Sequence, residues 1–293
     1  MRNFAAKVSL GLVYLLLLGC SAAEKLISQA IPEIDVPVTN ALMEANTILD
    51  ENRLLGVDGF VFVPIRSRQG STLEARVLDD PDDAPSGYRP AAGAEVSIVS
   101  GGTGSAITNE QGYFFIPFVA SRQGGTTVRL RITFQGQTYE AEHSTSYAFT
   151  IPPTQTDLLK ATIDENNPRF KEALDQGVTK LERFKFHLLV FNRSTTQSAT
   201  VRLAVSRNPA HTSWEGVLAD TTDSKVIFDR TIPPDSLTVV HEFYSPSQNA
   251  DIFNFVRTLV YGERRMIVYF QSNLPGELEI RNVFVEAKFG VEL

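Results

Sequence analysis

Cysteine is almost absent, since the 293-residue chain holds a single one, Cys20. A lone thiol excludes an intramolecular disulfide and any cysteine-based metal cluster, so packing must hold the fold together. Basic residues are in deficit, 27 Lys and Arg against 34 Asp and Glu for a formal charge of −7, and no stretch gathers them into a dense patch. Nucleic acid is therefore not expected as a partner. The apolar run from Val8 to Leu18 falls short of the roughly 20 residues that a membrane-spanning helix needs. Catalytic signatures are lacking too: there is no His-Glu-x-x-His, no Gly-x-Ser-x-Gly and no loop ending in Gly-Lys-Ser/Thr. Gly102-Thr103-Gly104-Ser105 comes nearest to a phosphate loop, but Ile107 stands where the third glycine of a dinucleotide fingerprint would fall, and the segment reads as a surface turn. The chain is not expected to be an enzyme.

What is present is enough apolar material for a real core, 43% hydrophobic against 21% charged residues. At the amino terminus, Arg2 and Lys7 precede the Val8 to Leu18 run, which stops at Gly19-Cys20 and reads as a cleaved export signal over residues 1–19. Leu17-Leu18-Gly19-Cys20 resembles the lipobox of bacterial lipoproteins. The resemblance implies that Cys20 is acylated, with palmitate-type chains, and becomes the new amino terminus. Two or more chains give stable anchoring where one does not. Ser21 follows the cysteine, and by analogy with the enterobacterial sorting rule it permits an outer-membrane destination. Ser21 to Thr39, with Pro32 and Pro37, reads as a tether. Asn40 is placed to cap a short helix carrying Leu42, Ala45, Ile48 and Leu49 on one face, which completes a segment over residues 20–56.

From Val57 the period changes to two. Val128, Leu130, Ile132 and Phe134 alternate with Arg129, Arg131 and Thr133, and Ala94, Val96 and Ile98 alternate likewise, with turn signals between the runs. Such short strands predict a β-sandwich. Leu73 to Val77, Ala92-Gly93-Ala94-Glu95-Val96 and Thr108-Asn109-Glu110-Gln111-Gly112-Tyr113-Phe114 resemble, in that order, the carboxypeptidase regulatory-like domain, a transthyretin-like β-sandwich, over Val57 to Glu142. That resemblance implies a module for folding, spacing or interaction without catalytic residues. The segment Asp79 to Pro90 is longer than the family's usual first hairpin. Gly112 suits a tight turn at positive φ.

Ile151-Pro152-Pro153 marks a boundary, because two prolines remove ladder donors. A helical connector is predicted within residues 151–183, with Asn167 and Pro168 as cap and first turn and with Phe170, Ala173, Leu174, Val178 and Leu181 on one face. Phe184, Phe186, Leu188 and Val190 then alternate with Lys185 and His187, as do Ala199, Val201, Leu203 and Val205 with their polar neighbours, so residues 184–293 read as a second β-sandwich. The apolar set changes face near Asn282, which predicts a β-bulge. Ile252, Phe255, Val256, Leu259 and Val260 fit one face of a short helix capped by Asn249 or Asp251 and ended by Gly262, with a strand as the alternative.

Candidate sites are few. Asp79, Asp80, Asp82 and Asp83 concentrate carboxylates that would hold calcium if the backbone converged them, yet no EF-hand pattern is present and the segment reads as a solvated acidic loop. Trp214, in a polar stretch from Arg207 with His211 and Glu215, would stack on a sugar if exposed or plug the end of a sandwich if not. His143, His187, His211 and His241 lack ligand-like spacing, and His187 and His241 are expected to be exposed or satisfied in strands. The sequence thus predicts a mainly β protein, two sandwiches joined by a short helical connector after a lipoprotein signal, anchored to the membrane through Cys20. It predicts an interaction or structural role with an envelope protein partner, with a glycan-binding surface lipoprotein as the alternative, and no required cofactor.

Overall fold

A computed structural model of the chain describes residues 34–38, 41–42, 45–46, 53–65, 74–117, 126–150, 158–175, 180–274 and 277–290. The protein is mainly β. Strands β3 (Arg76–Leu78), β4 (Tyr88–Pro90) and β7 (Tyr113–Pro117) each pair with β2 (Arg53–Pro64), and together they face a second sheet of order β6 (Ser105–Ile107), β5 (Glu95–Ser100), β8 (Thr127–Phe134), β9 (Gln137–Ser144). Between them lies a core that includes Val57, Val61, Val96, Phe114, Leu130 and Ile132. Strand β8 shows the alternation read from its sequence, with Val128, Leu130, Ile132 and Phe134 inward and the intervening residues exposed. Gly112 sits at φ 79°, and Asn109 Oδ1 accepts from the backbone N–H groups of Gln111 and Tyr113, both at 2.9 Å, which fixes the turn into β7.

The second sandwich sets β12 (Lys180–Asn192), β15 (Ser236–Tyr244) and β17 (Leu278–Gly290) against a sheet of order β11 (Leu159–Asp164), β16 (Arg265–Ser272), β13 (Ala199–Ser206), β14 (Ser224–Ile232). Its core holds Phe184, Phe186, Leu188, Val201, Leu203, Val268 and Phe270. Helix α1 (Pro168–Asp175) starts where the Asn-Pro pair places it, with Asn167 Oδ1 accepting the Phe170 N–H at 3.1 Å. Helix α2 (Trp214–Ala219) is capped by Ser213, and α3 (Ala250–Thr258) continues as a π-helical turn over Leu259–Glu263. Asn249 occupies the cap position of α3, while Gly262 lies inside the π turn and Arg264 takes the left-handed conformation that ends it. In β17, Asn282 and Val283 lie between two partners of β12 that are separated by Leu188 alone, so the bulge falls where the apolar set changes face.

The connections differ from the sequence expectation. Ile34–Pro37, placed in the tether, forms β1 and pairs antiparallel with β17, and Leu159–Asp164, placed in the connector, is a strand of the second sandwich. Leu181, read as helical, lies in β12. Period 3.6 and period 2 both accommodate so short an apolar set, and sheet pairing decided between them. Strand β10 (Ser146–Thr150) pairs with β2 on one side and β17 on the other, so one nine-stranded sheet runs through both sandwiches. The predicted boundary at Ile151 to Pro153, like Cys20 and Ser21, lies outside the described residues. Among the described residues no helix is long and apolar enough to cross a membrane.

Candidate functional site

Beyond the shared sheet, the sandwiches meet through an apolar patch and two polar networks. The patch joins Phe60 and Phe62 of β2 and Tyr113 of β7 to Leu189 of β12, with Leu237 and Val239 of β15 packed against them. Below it, Tyr113 donates its hydroxyl to Asp58 Oδ2 at 2.8 Å and accepts from Arg281 of β17, whose guanidinium also pairs with Glu279. Ser146 donates to the other oxygen of Asp58. Asp58, Glu279 and Arg281 are all buried. Arg281 lies 4.0 Å from the centre of the Phe115 ring.

The second network is built on the acidic loop. Asp80 caps a 3-10 turn, Pro81–Asp83, with its Oδ1 accepting the Asp82 N–H at 2.8 Å. The turn carries Asp80 onto the outward face of β12, where it is 1% exposed. There β12 pairs with β15 and β17 so that His187 stands opposite His241 and Lys185 opposite Glu286. Lys185 Nζ reaches Asp80 Oδ2 at 2.6 Å, Glu286 Oε2 at 2.9 Å and Asp83 Oδ1 at 3.9 Å. His187 Nδ1 is 3.4 Å from Asp80 Oδ2, His241 Nε2 is 3.2 Å from Asp80 Oδ1, and the two imidazole nitrogens are 3.0 Å apart. His241 turns its other nitrogen, Nδ1, to Asp82 Oδ2 at 2.8 Å. His187 stacks on Phe284, ring centres 4.4 Å apart. At the loop's start, Asp79 Oδ1 lies 3.3 Å from His143 Nε2 of β9.

Burial sets the electrostatics and neighbours modify it. Burial pushes the Asp80 carboxyl up, but the hydrogen bonds from His187, His241 and Lys185 outweigh it and hold the group far below the usual carboxylate range. Burial opposes the Lys185 charge, and Asp80 with Glu286 more than restores it. Burial also keeps His187 down, whereas for His241 the carboxylates of Asp80 and Asp82 overcome burial and raise it. Among the described residues, two groups here bring ligand-type atoms within 4.8 Å of one another: Asp80 with His187 and His241, and Asp80 with Asp83 and Glu286.

The structure thus corrects the reading of a solvated acidic loop at one residue. Asp79, Asp82 and Asp83 keep half-exposed side chains, but Asp80 is buried because β12 and β15 offer it an ammonium and two imidazoles. Sequence reasoning missed Lys185, His187, His241 and Glu286 as its partners. The usable signal was that Lys185 and His187 share a phase with Leu189, which marks their face of β12 as covered.

Trp214 resolves to the core-plugging option. Its ring is 1% exposed and packs with Ala204, Val217, Ile267 and Tyr269. His211 Nε2 is engaged by Asp220 at 3.1 Å and Ser224 at 3.1 Å, while Glu215 is exposed in the first turn of α2. These three side chains do not converge on a stacking surface.

No family model and no curated protein matches the chain. Solved structures that align with it include a CBM4 structure, at 9% identity and TM-score 0.26, covering 56% of this chain and 77% of that one. The CBM22-1 xylan-binding domain from Paenibacillus barcinonensis Xyn10C aligns at 13% identity and TM-score 0.28, covering 69% and 98%. The C-terminal family 22 carbohydrate binding module of Clostridium thermocellum Xyn10B aligns at 14% identity and TM-score 0.27, covering 58% and 86%. At these TM-scores the likeness assigns neither ligand nor activity to the protein.

Proposed function

We propose that the protein is a lipid-anchored component of the bacterial cell envelope, held through acylated Cys20, that presents its joined sandwiches as a non-catalytic interaction or structural module. The observation that carries this reading is the sole cysteine of the chain, placed directly after a basic and apolar leader in Leu17-Leu18-Gly19-Cys20. An exported protein rarely keeps one unpaired thiol without a use for it. Only 13 residues separate Cys20 from β1. At ~3.3 Å per residue they allow at most roughly 43 Å between lipid and body. The shared sheet and buried networks favour a body that acts as one piece. The glycan-binding alternative loses its main support with the burial of Trp214.

Intact-mass analysis of the protein extracted from its own membranes, beside a Cys20→Ser variant, tests the proposal. The parent should carry acyl chains on its first residue and partition with membranes, and the variant should lose both properties. An unmodified Cys20, or a variant that stays membrane-bound to the same extent, would overturn it.

A further inference from the structure

We propose that Asp80, His187 and His241 form a binding site for a zinc-type divalent transition-metal ion that clamps the loop of the first sandwich onto the sheet of the second. The inference does not depend on the lipid anchor.

The three side chains face one another as a triangle: His241 Nε2 lies 3.0 Å from His187 Nδ1 and 3.2 Å from Asp80 Oδ1, and His187 Nδ1 lies 3.4 Å from the other carboxylate oxygen, Oδ2. Four ligands placed tetrahedrally at about 2.05 Å from zinc are separated by about 3.3 Å. Each of these contacts has the length of a ligand-to-ligand edge in such a site, and with either Asp80 oxygen as ligand the three ligand atoms stay within 4.8 Å of one another, leaving the fourth position to water. Two imidazoles and one carboxylate suit zinc and its neighbours, whereas calcium and magnesium prefer sets made of oxygen.

Protons alone do not satisfy this triangle. An ionised carboxylate only accepts, and each imidazole nitrogen presents either one N–H or one lone pair. If both nitrogens carry protons, the 3.0 Å edge between His187 and His241 sets donor against donor. If either is bare, its edge to Asp80 sets acceptor against acceptor, apart from any bond it accepts from the other ring. One cation held between the two bare nitrogens and the carboxylate satisfies all three side chains.

The surroundings match what a metal ligand set requires. Asp82 at 2.8 Å accepts from His241 Nδ1, which directs the Nε2 lone pair into the triangle. This carboxylate behind a histidine is the recurrent support of zinc sites. Asp80 is oriented by the Asp82 N–H and by Lys185. His187 is fully buried, and its Nε2 has no hydrogen-bond partner, so its ring is positioned by the Phe284 stack and by what meets Nδ1. The neighbouring group of Asp80, Asp83 and Glu286 differs, because Lys185 already supplies the cation those carboxylates face.

The test uses the protein as isolated from its own cells, in detergent, stripped with chelator and titrated with Zn2+ by equilibrium dialysis and with Co2+ by visible absorption. One equivalent should bind, with the absorption of four-coordinate Co2+. His187→Gln and His241→Gln should abolish binding, and His211→Gln should leave it unchanged. Asp82→Asn keeps all three ligands and should weaken binding about 10- to 100-fold, so it decides the matter even if the histidine variants fold poorly. The site is overturned if the parent takes up no stoichiometric metal, if binding survives His241→Gln, if it disappears in His211→Gln, or if Asp82→Asn binds as tightly as the parent.

Discussion

Lys185 of the second sandwich and Asp80 of the first form a buried ion pair, Nζ to Oδ2 at 2.6 Å, with side chains 4% and 1% exposed. Such a pair adds little compared with apolar residues of the same shape, yet removing Lys185 is costly because the buried carboxylate of Asp80 and the mostly buried one of Glu286 both lose the ammonium they share. Lys185→Met should therefore lower the unfolding free energy by about 3–5 kcal/mol. Asp80→Asn with Lys185→Met should lose clearly less than the sum of the two single losses. Urea unfolding of the four proteins measures this, and strict additivity would show that the pair is not coupled.

Tyr113 supplies a second check on how the sandwiches are joined. Its hydroxyl donates to Asp58 at 2.8 Å and accepts from Arg281, so one oxygen links strands of both sandwiches. Tyr113→Phe keeps the ring against Phe60 but leaves a buried carboxylate and guanidinium each short of a partner. The expected loss is about 1–3 kcal/mol, read from the shift of the denaturation midpoint at unchanged slope. Stability equal to the parent's would mean that the hydroxyl does not bridge the two charges.

His143 should make stability depend on pH. Burial pushes its pKa down, but the hydrogen bond and charge of Asp79 prevail and raise it above the ordinary value of about 6.5. A histidine whose pKa is higher folded than unfolded stabilises fully below the unfolded value, and that contribution is lost as pH rises through the folded one. The stability difference between the parent and His143→Gln should thus be larger at about pH 6 than at about pH 9. A difference that does not change with pH, or that grows toward alkaline pH, would refute the pairing.

Much of the fold was legible because it depends on local pattern. The alternation in β8, the Asn-Pro start of α1, the positive φ of Gly112 and the bulge at Asn282 each follow from a few neighbouring residues. The polar site was not legible, since Asp80 meets His187 and His241 only when a long connection in one sandwich crosses a strand pair in the other. Alternation separates two faces of a strand but does not say that both are covered. On sequence His187 reads as exposed or satisfied in its strand, with Lys185 in the same phase, and Leu189 in that phase packs with Phe60 and Tyr113. β1 escaped for a related reason: four residues are too few to show a period, and only the free edge of β17 makes them a strand.

Trp214 is the only tryptophan, so its fluorescence reports one site without ambiguity. A ring 1% exposed among Val217, Ile267 and Tyr269 should emit at short wavelength and resist quenching by iodide, and polysaccharides should leave its emission unmoved. Trp214→Ala should cost about 3–5 kcal/mol through the cavity it leaves. Trp214→Phe should cost much less: the indole N–H is buried without a hydrogen-bond partner, so its removal sacrifices no bond and relieves a desolvation penalty. A red-shifted, readily quenched emission that responds to a polysaccharide would instead place the ring at a ligand surface, and the two substitutions would then differ in binding rather than in stability.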